Sequence, residues 1–240
     1  MDGHSTRFPG HRLAPAIVAL IVALVTAFPS PTEAQAQTSY PAMAPIEQYR
    51  MARAAEIAMA RSAAPESISR DAEILVLGQH GFETAAKGTN GFVCLVERGW
   101  SAGVDDPVFW NPKIRGPICL NAAAARSNLP NTIKKTEWVL AGLTRAQIAE
   151  KLKAALDSKE LTAPEPGSMC YMMSKDGYLS DTAGHWHPHL MFFVAGTDEK
   201  AWGANLAGSP MLATTDPTEH VTVFMVPVGN WSDGTPGPSM

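Results

Sequence analysis

The order of strand-like and helical segments is the feature of this sequence that most constrains its fold. Two strand candidates come first, at residues 71–77 and 92–96, and both are rich in β-branched and other apolar side chains. A turn at residues 78–81 follows the first of them, and residues 82–87 are expected to begin the return strand of a hairpin. Three more follow at residues 168–174, 185–194 and 220–226, and the segments between the two groups are mainly helical in pattern. This order predicts a single α+β domain, with an antiparallel sheet of about five strands and helices mainly on one face.

Local signals place the helices. An apolar stripe through residues 46–63 predicts one long helix. Asn121 suits the N-cap of a short helix at residues 122–128, and Thr144 with Gln147 forms a capping box for a later helix. A helical insertion between the second and third strands resembles the profilin-like and PAS-like sheets. That resemblance implies a fold and no function.

The first 36 residues predict a signal peptide. Arg7 and Arg12 supply a basic start, residues 16–28 form an apolar run, and Ala34-Gln35-Ala36 fits a small-x-small cleavage site. A membrane-spanning helix needs roughly 20 apolar residues, so a permanent anchor is the weaker interpretation. We therefore expect an exported protein, periplasmic or secreted, with no membrane partner after cleavage.

The remaining chain divides into three parts by composition. Residues 37–44 are expected to be a loose leader, residues 45–228 the single α+β domain, and residues 229–240 a flexible tail rich in Gly and Pro. The net charge of −4 is the same with and without residues 1–36. Such a balance offers no electrostatic reason to bind nucleic acid or anionic lipid.

Three cysteines bear on the compartment. In an oxidising compartment two of them are expected to pair. Cys94 and Cys119 are the favoured pair, because they enclose a loop rich in Pro, Gly and Asp. Cys170 then remains alone within a strand-like run. It is interpreted as a small buried hydrophobic residue, with a reactive thiol as the alternative.

Three histidines within five residues form the main candidate site. If residues 185–194 are a strand, His185, His187 and His189 point to one face, because side chains alternate along a strand. Neutral imidazole is a common ligand of zinc and other transition metals. The spacing therefore predicts a metal site, with His220 as a further ligand.

Geometry limits that metal site. Alternate residues on a strand lie roughly 6.6 Å apart, whereas Zn–N distances are about 2.0–2.1 Å. Two neighbouring histidines can converge on one ion, and the remaining ligands must come from elsewhere, with His80 and Asp181 as further candidates. Pro188 favours an edge strand, since it cannot donate a hydrogen bond to a ladder. The alternative is a set of histidines with a structural role only.

A second candidate site is a pocket beside the irregular segment at residues 100–117. Long ordered loops that carry aromatic residues often line pockets. Phe109, Trp110 and Asn111 lie in the middle of this segment, and Trp186 lies within the histidine cluster. These four residues are the predicted pocket. The alternative is a loop anchored in the core by its aromatic side chains.

Other enzyme classes find less support in the sequence. The chain has no Gly-x-Ser-x-Gly nucleophile elbow, and it has neither a His-Glu-x-x-His helix motif nor a Cys-x-x-Cys pair. Glu97 and Arg98 are interpreted as charges exposed to solvent.

Four sequence blocks resemble a family of exported bacterial proteins of unknown function. They are residues 88–94, 109–113, 171–175 and 186–191, and together they extend over most of the chain after the signal segment. The resemblance implies secretion and a single domain. It implies no activity, cofactor or catalytic residue.

Two functions from different classes remain open. The first is a small-ligand-binding or interaction module, with its pocket between the sheet and the segment at residues 100–117. The second is a metal-dependent protein, with enzymatic activity left open, that uses zinc or another transition metal at the histidine cluster. A third ligand close to the histidines would favour the second function, and an apolar pocket would favour the first.

Overall fold

An open sheet of eight strands lies at the centre of the structure. The computed structural model describes residues 40–181, 187–196 and 199–238. Within them the strand order is β2-β1-β3-β4-β5-β6-β8-β7. The strands are β1 (Glu73–Leu77), β2 (Phe82–Ala86), β3 (Val93–Glu97), β4 (Gly116–Leu120), β5 (Met169–Met172), β6 (His189–Ala195), β7 (Leu212–Asp216) and β8 (Val221–Pro227).

The sheet differs from the predicted one in size and pairing. Neighbouring strands are antiparallel except β1 and β3, which pair in parallel at Glu73 and Ile74. The sheet is therefore mixed, and the single-sheet α+β class holds. The expectation of about five antiparallel strands in a profilin-like or PAS-like order is not confirmed.

Two strands were missed because their sequences lack the usual strand pattern. Gly116 and Pro117 favour a turn, yet β4 is buried along its whole length. Proline is tolerated because β5 pairs only with Cys119 and Leu120, so Pro117 lies beyond that ladder. The other missed strand, β7, is a short and largely exposed edge strand, which needs few apolar residues.

Helices pack on both faces of the sheet, so the expectation of helices mainly on one face is not confirmed. The five α-helices of the described chain are α1 (Arg53–Arg61), α2 (Glu66–Ser69), α3 (Ala122–Ser127), α4 (Leu129–Leu140) and α5 (Arg145–Asp157). Ala60 of α1 packs on the face that carries Cys94. Ala124 of α3 and Leu129 of α4 pack on the face that carries Leu95. Because consecutive strand residues point to opposite faces, α1 and α4 lie on opposite sides.

The predicted caps are confirmed, but the first helix is shorter than expected. Asn121 accepts a hydrogen bond from the Ala124 backbone, and Thr144 and Gln147 form both hydrogen bonds of the capping box. The expected helix at 46–63 is divided into a 3-10 turn and α1, because Ala52 has an extended backbone. Tyr49 lies between the two pieces, and its buried side chain donates a hydrogen bond to the Trp110 carbonyl oxygen at 2.8 Å.

The segments before and after the predicted domain contact it. Tyr40, Met43 and Ala44, in the predicted leader, pack against the core that contains Tyr49. At the other end, the Ser232 amide donates to the Met173 carbonyl oxygen. The structure thus holds the start of the predicted flexible tail against the chain that follows β5.

Cys94 and Cys119 form a disulfide between directly opposed residues of β3 and β4, as predicted. Cys170 is a free and buried cysteine. A disulfide is compatible with an exported protein. Over the residues that the structure describes, no helix has the length and apolar character needed to span a membrane.

Candidate functional site

A large cleft lies between one face of the sheet and α4. Its volume is about 700 Å³. Residues 101–106, called the wall segment below, close one side of it. The floor is apolar and consists of alternate residues of four strands, among them Ile118, Leu120, Met191, Phe193, Val223 and Met225. Clefts of roughly 300–1,000 Å³ with apolar walls and a few polar groups are typical of small-ligand sites.

A buried lysine lies on the α4 wall of the cleft. The Lys135 side chain is 1% exposed, and its Nζ lies 2.5 Å from Oε1 of Glu219, in the turn between β7 and β8. The same ammonium donates to the carbonyl oxygens of Ser101 and Ala102, at 3.0 and 3.2 Å. Lys135 therefore connects α4, the wall segment and the β7–β8 turn at one point.

Glu97 adds a carboxyl group to this wall. It is the last residue of β3 and lines the cleft. Burial raises the pKa of Glu97 from 4.5 to about 7, and the negative charge of Glu219 adds to the rise. The charge of Lys135 and a hydrogen bond from Thr132 oppose it. A carboxyl group with this pKa changes between its protonated and ionised forms near neutral pH.

Two polar atoms beside Lys135 have unused hydrogen-bonding capacity. Asn131, one helical turn before Lys135, is 9% exposed, and its Oδ1 has no hydrogen-bond partner within the described chain. The same holds for the buried Ser101 hydroxyl. Both residues line the cleft. Because a buried polar atom without a partner costs free energy, unpaired atoms in a cleft indicate where a ligand can bind.

The rim of the cleft is acidic. Asp105, Asp106 and Asp216 line it. The wall segment lies close to the end of β7 here, since a Cβ on Gly103 would be 2.7 Å from Oδ2 of Asp216. Arg145 of α5 fixes the wall segment by donating to the Val104 carbonyl oxygen at 2.6 Å.

Arg98 also lines the cleft and forms a buried ion pair with Glu56. The Arg98 and Glu56 side chains are 0% and 1% exposed, with 2.8 Å between Nη2 and Oε1. Arg98 also donates to the Tyr49 carbonyl oxygen at 2.7 Å, and Glu56 accepts from the Leu77 amide at 3.1 Å. The interpretation of Arg98 as a solvent-exposed charge is therefore wrong, and Glu97 is half-buried in the cleft.

The structure separates the predicted metal ligands. His189 is 3% exposed and lines the cleft, with its Nδ1 2.9 Å from the His187 carbonyl oxygen. Burial lowers the pKa of His189. His220 is exposed beside Val221, whereas His189 pairs with Pro227 at the far end of β8. At about 3.4 Å per residue, His220 lies roughly 20 Å from His189.

The structure describes only part of the histidine cluster. His185 and Trp186 lie outside the described residues. His187 precedes β6, which begins at His189 as an interior strand between β5 and β8, so the edge-strand interpretation of Pro188 is wrong. Among the described residues, no group of three His, Cys, Asp or Glu side chains could hold a metal ion.

The two further candidate ligands are placed elsewhere. His80 is exposed in the turn between β1 and β2. Asp181 accepts hydrogen bonds from Tyr40 and Tyr178 and forms an ion pair with Lys113 at 3.0 Å. Hydrogen bonds from the Tyr178 and Tyr40 hydroxyls lower the pKa of Asp181 to about 2. Its carboxylate oxygens are therefore already paired with other side chains.

The aromatic residues predicted to line a pocket belong to the core instead. Phe109 and Trp110 are 0% and 4% exposed and pack with Trp100 and α5. The buried Asn111 donates to Asp181 at 3.1 Å. A cleft does exist between the sheet and the predicted segment, but it is lined by the earlier part of that segment.

Sequence reasoning missed the polar side of the cleft. One signal for it was present, because Lys135 lies three residues after Thr132 and four before Val139, on the buried side of α4. A lysine within the buried stripe of a helix requires an internal partner. No comparable local signal marks Glu97, whose burial depends on residues far along the chain.

Comparison with known proteins assigns neither a family nor a function. No protein-family model matches the sequence, and no curated protein or solved structure is detectably similar to it.

Proposed function

We propose that this protein binds a small ligand in the cleft between the sheet and α4. The observation that carries the proposal is the composition of the cleft, an apolar floor beside a wall with a few buried polar groups. The resemblance to exported proteins of unknown function, together with the disulfide, supports action outside the cytoplasm.

The extent of the apolar floor across the sheet supports a ligand with an apolar body. The floor side chains come from the four adjacent strands β4, β5, β6 and β8, so an apolar molecule several carbons long can lie along it. Each methylene group that leaves water there contributes about 0.8 kcal/mol. The polar wall then determines the orientation of the bound molecule.

A neutral, polarity-sensitive dye such as Nile red tests the proposal. We expect saturable binding with one site per chain, measured by the dye fluorescence. Val223→Phe should weaken this binding by roughly tenfold or more, because Val223 lies on the cleft floor and the larger side chain fills it.

Val226→Phe is the matched control. Val226 is also a half-buried valine of β8 but points to the opposite face of the sheet. Its variant should bind the dye as the unchanged protein does. Equal weakening by both variants, or no saturable binding to the unchanged protein, would reject the proposed function.

A further inference from the structure

The charged groups that line the cleft leave an excess of negative charge. Its two cations, Arg98 and Lys135, are each neutralised by a carboxylate. Arg98 is 2.8 Å from Glu56, and Lys135 is 2.5 Å from Glu219. Neither cation therefore remains available to balance a carboxylate or phosphate group of a ligand.

Four acidic residues of the cleft have no such partner. Glu97, Asp105, Asp106 and Asp216 all line it. Within the described residues, none of the four forms a salt bridge with a lysine, arginine or histidine. A cation that enters the cleft gains from their combined potential, whereas an anion is repelled.

The unpartnered oxygen of Asn131 is an independent observation that points the same way. This amide oxygen is a hydrogen-bond acceptor, and Asn131 is more than nine-tenths buried in the wall. It can therefore accept a hydrogen bond from a ligand that carries a donor. A carboxylate has only acceptors and would leave this oxygen unpaired, whereas an ammonium group has several N–H donors.

We propose that the natural ligand is an organic ammonium ion with an apolar body, whose nitrogen binds between Asn131 and Glu97 while its carbon skeleton lies on the cleft floor. This inference rests on the proposed function and specifies its ligand class. It also accounts for the position of Asn131 and Glu97 on the same polar wall, next to Lys135.

The titration of Glu97 provides a second signature. Its carboxyl group must be ionised to attract the ammonium, so amine affinity should rise as the pH increases from 6 to 8 across a pKa of about 7. The titratable groups that interact with Glu97 are Lys135, Glu219 and Cys170, and His189 lines the same cleft. They remain in place when Glu97 alone is changed.

Three probes of equal chain length test the inference by isothermal titration at pH 8: octylamine, 1-octanol and octanoate. We expect octylamine to bind about tenfold or more tightly than 1-octanol, and octanoate to bind more weakly than either. Equal affinities for octylamine and 1-octanol, or tighter binding of octanoate, would overturn the ammonium assignment.

Two carboxyl-to-amide variants locate the charge responsible. Glu97→Gln should reduce octylamine affinity by about tenfold, reduce 1-octanol affinity much less and abolish the rise between pH 6 and 8. Glu66→Gln, on the exposed surface of α2, is the matched control and should change neither affinity. Unchanged octylamine binding by Glu97→Gln would contradict the proposed position of the nitrogen.

The outcomes separate this inference from the proposed function. If 1-octanol and octylamine bind equally and Val223→Phe weakens both, the cleft binds small ligands but does not select ammonium ions. If none of the three probes binds, the ammonium inference is rejected, and the dye experiment decides whether the cleft binds ligands at all.

Discussion

Glu97→Gln should make the stability of this protein less dependent on pH. The pKa of Glu97 is raised from 4.5 to about 7 in the folded protein, with burial as the main cause. The folded state therefore binds this proton more tightly than the unfolded state does. The stabilising effect is fully present below pH 4.5 and is lost as the pH rises through 7.

The magnitude follows from the size of the shift. One pKa unit corresponds to about 1.4 kcal/mol, so ionised Glu97 destabilises the folded state by about 3 kcal/mol at high pH. Part of this penalty is already present at pH 5, which leaves a change of roughly 2 to 3 kcal/mol between pH 5 and pH 8. Glutamine has a similar shape but cannot ionise, so the variant lacks this change.

Urea unfolding of both proteins at pH 5, 6, 7 and 8 measures the effect. The difference in unfolding free energy, variant minus unchanged protein, should increase by about 2 to 3 kcal/mol across this range. The histidines and Cys170 are present in both proteins, so their contributions cancel in the difference. A difference that stays constant from pH 5 to pH 8 would refute the assignment of a raised pKa to Glu97.

Three further predictions concern stability and the cysteines. Glu56→Ala should reduce the free energy of unfolding by about 3 to 5 kcal/mol, because it leaves the Arg98 guanidinium buried without its carboxylate. Glu66→Ala, which removes an exposed ion pair, is the control and should reduce the free energy of unfolding by less than about 1 kcal/mol. Equal reductions for the two variants in urea unfolding would contradict this account. Unreduced, denatured protein should contain one reactive thiol, that of Cys170, because the other two cysteines form the disulfide; a count of three by thiol titration would refute the pairing. Thr144→Ala removes the capping box of α5 and should lower the unfolding free energy by about 1 kcal/mol, and a change near zero would show that tertiary contacts alone position that helix.

Interactions between near neighbours in the chain were predictable. Asn121 and Thr144 cap helices through hydrogen bonds to residues three positions away, so their roles are visible in a short stretch of sequence. The apolar runs of β1, β3 and β8 were recognisable for the same reason. The disulfide was also predictable, because only three cysteines are present and one pair encloses a loop.

The candidate site was predictable only in outline. A pocket between the sheet and residues 100–117 was expected, and the cleft lies there, but Phe109 and Trp110 are in the core rather than in its lining. Aromatic residues in an irregular segment can either line a pocket or anchor the segment. The choice depends on α5, which follows more than 30 residues later and covers them.

Local sequence determined the helix caps, the principal strands and the cysteine pairing of this protein, because each depends on residues within one element or on a very small set of candidates. Tertiary structure decided which partner each buried charge meets. Glu56 meets Arg98 across 42 residues, and Lys135 meets Glu219 across 84. Whether such a side chain is exposed to water or buried in a cleft depends on these distant partners, since a buried charge is tolerated only where the completed fold supplies its opposite.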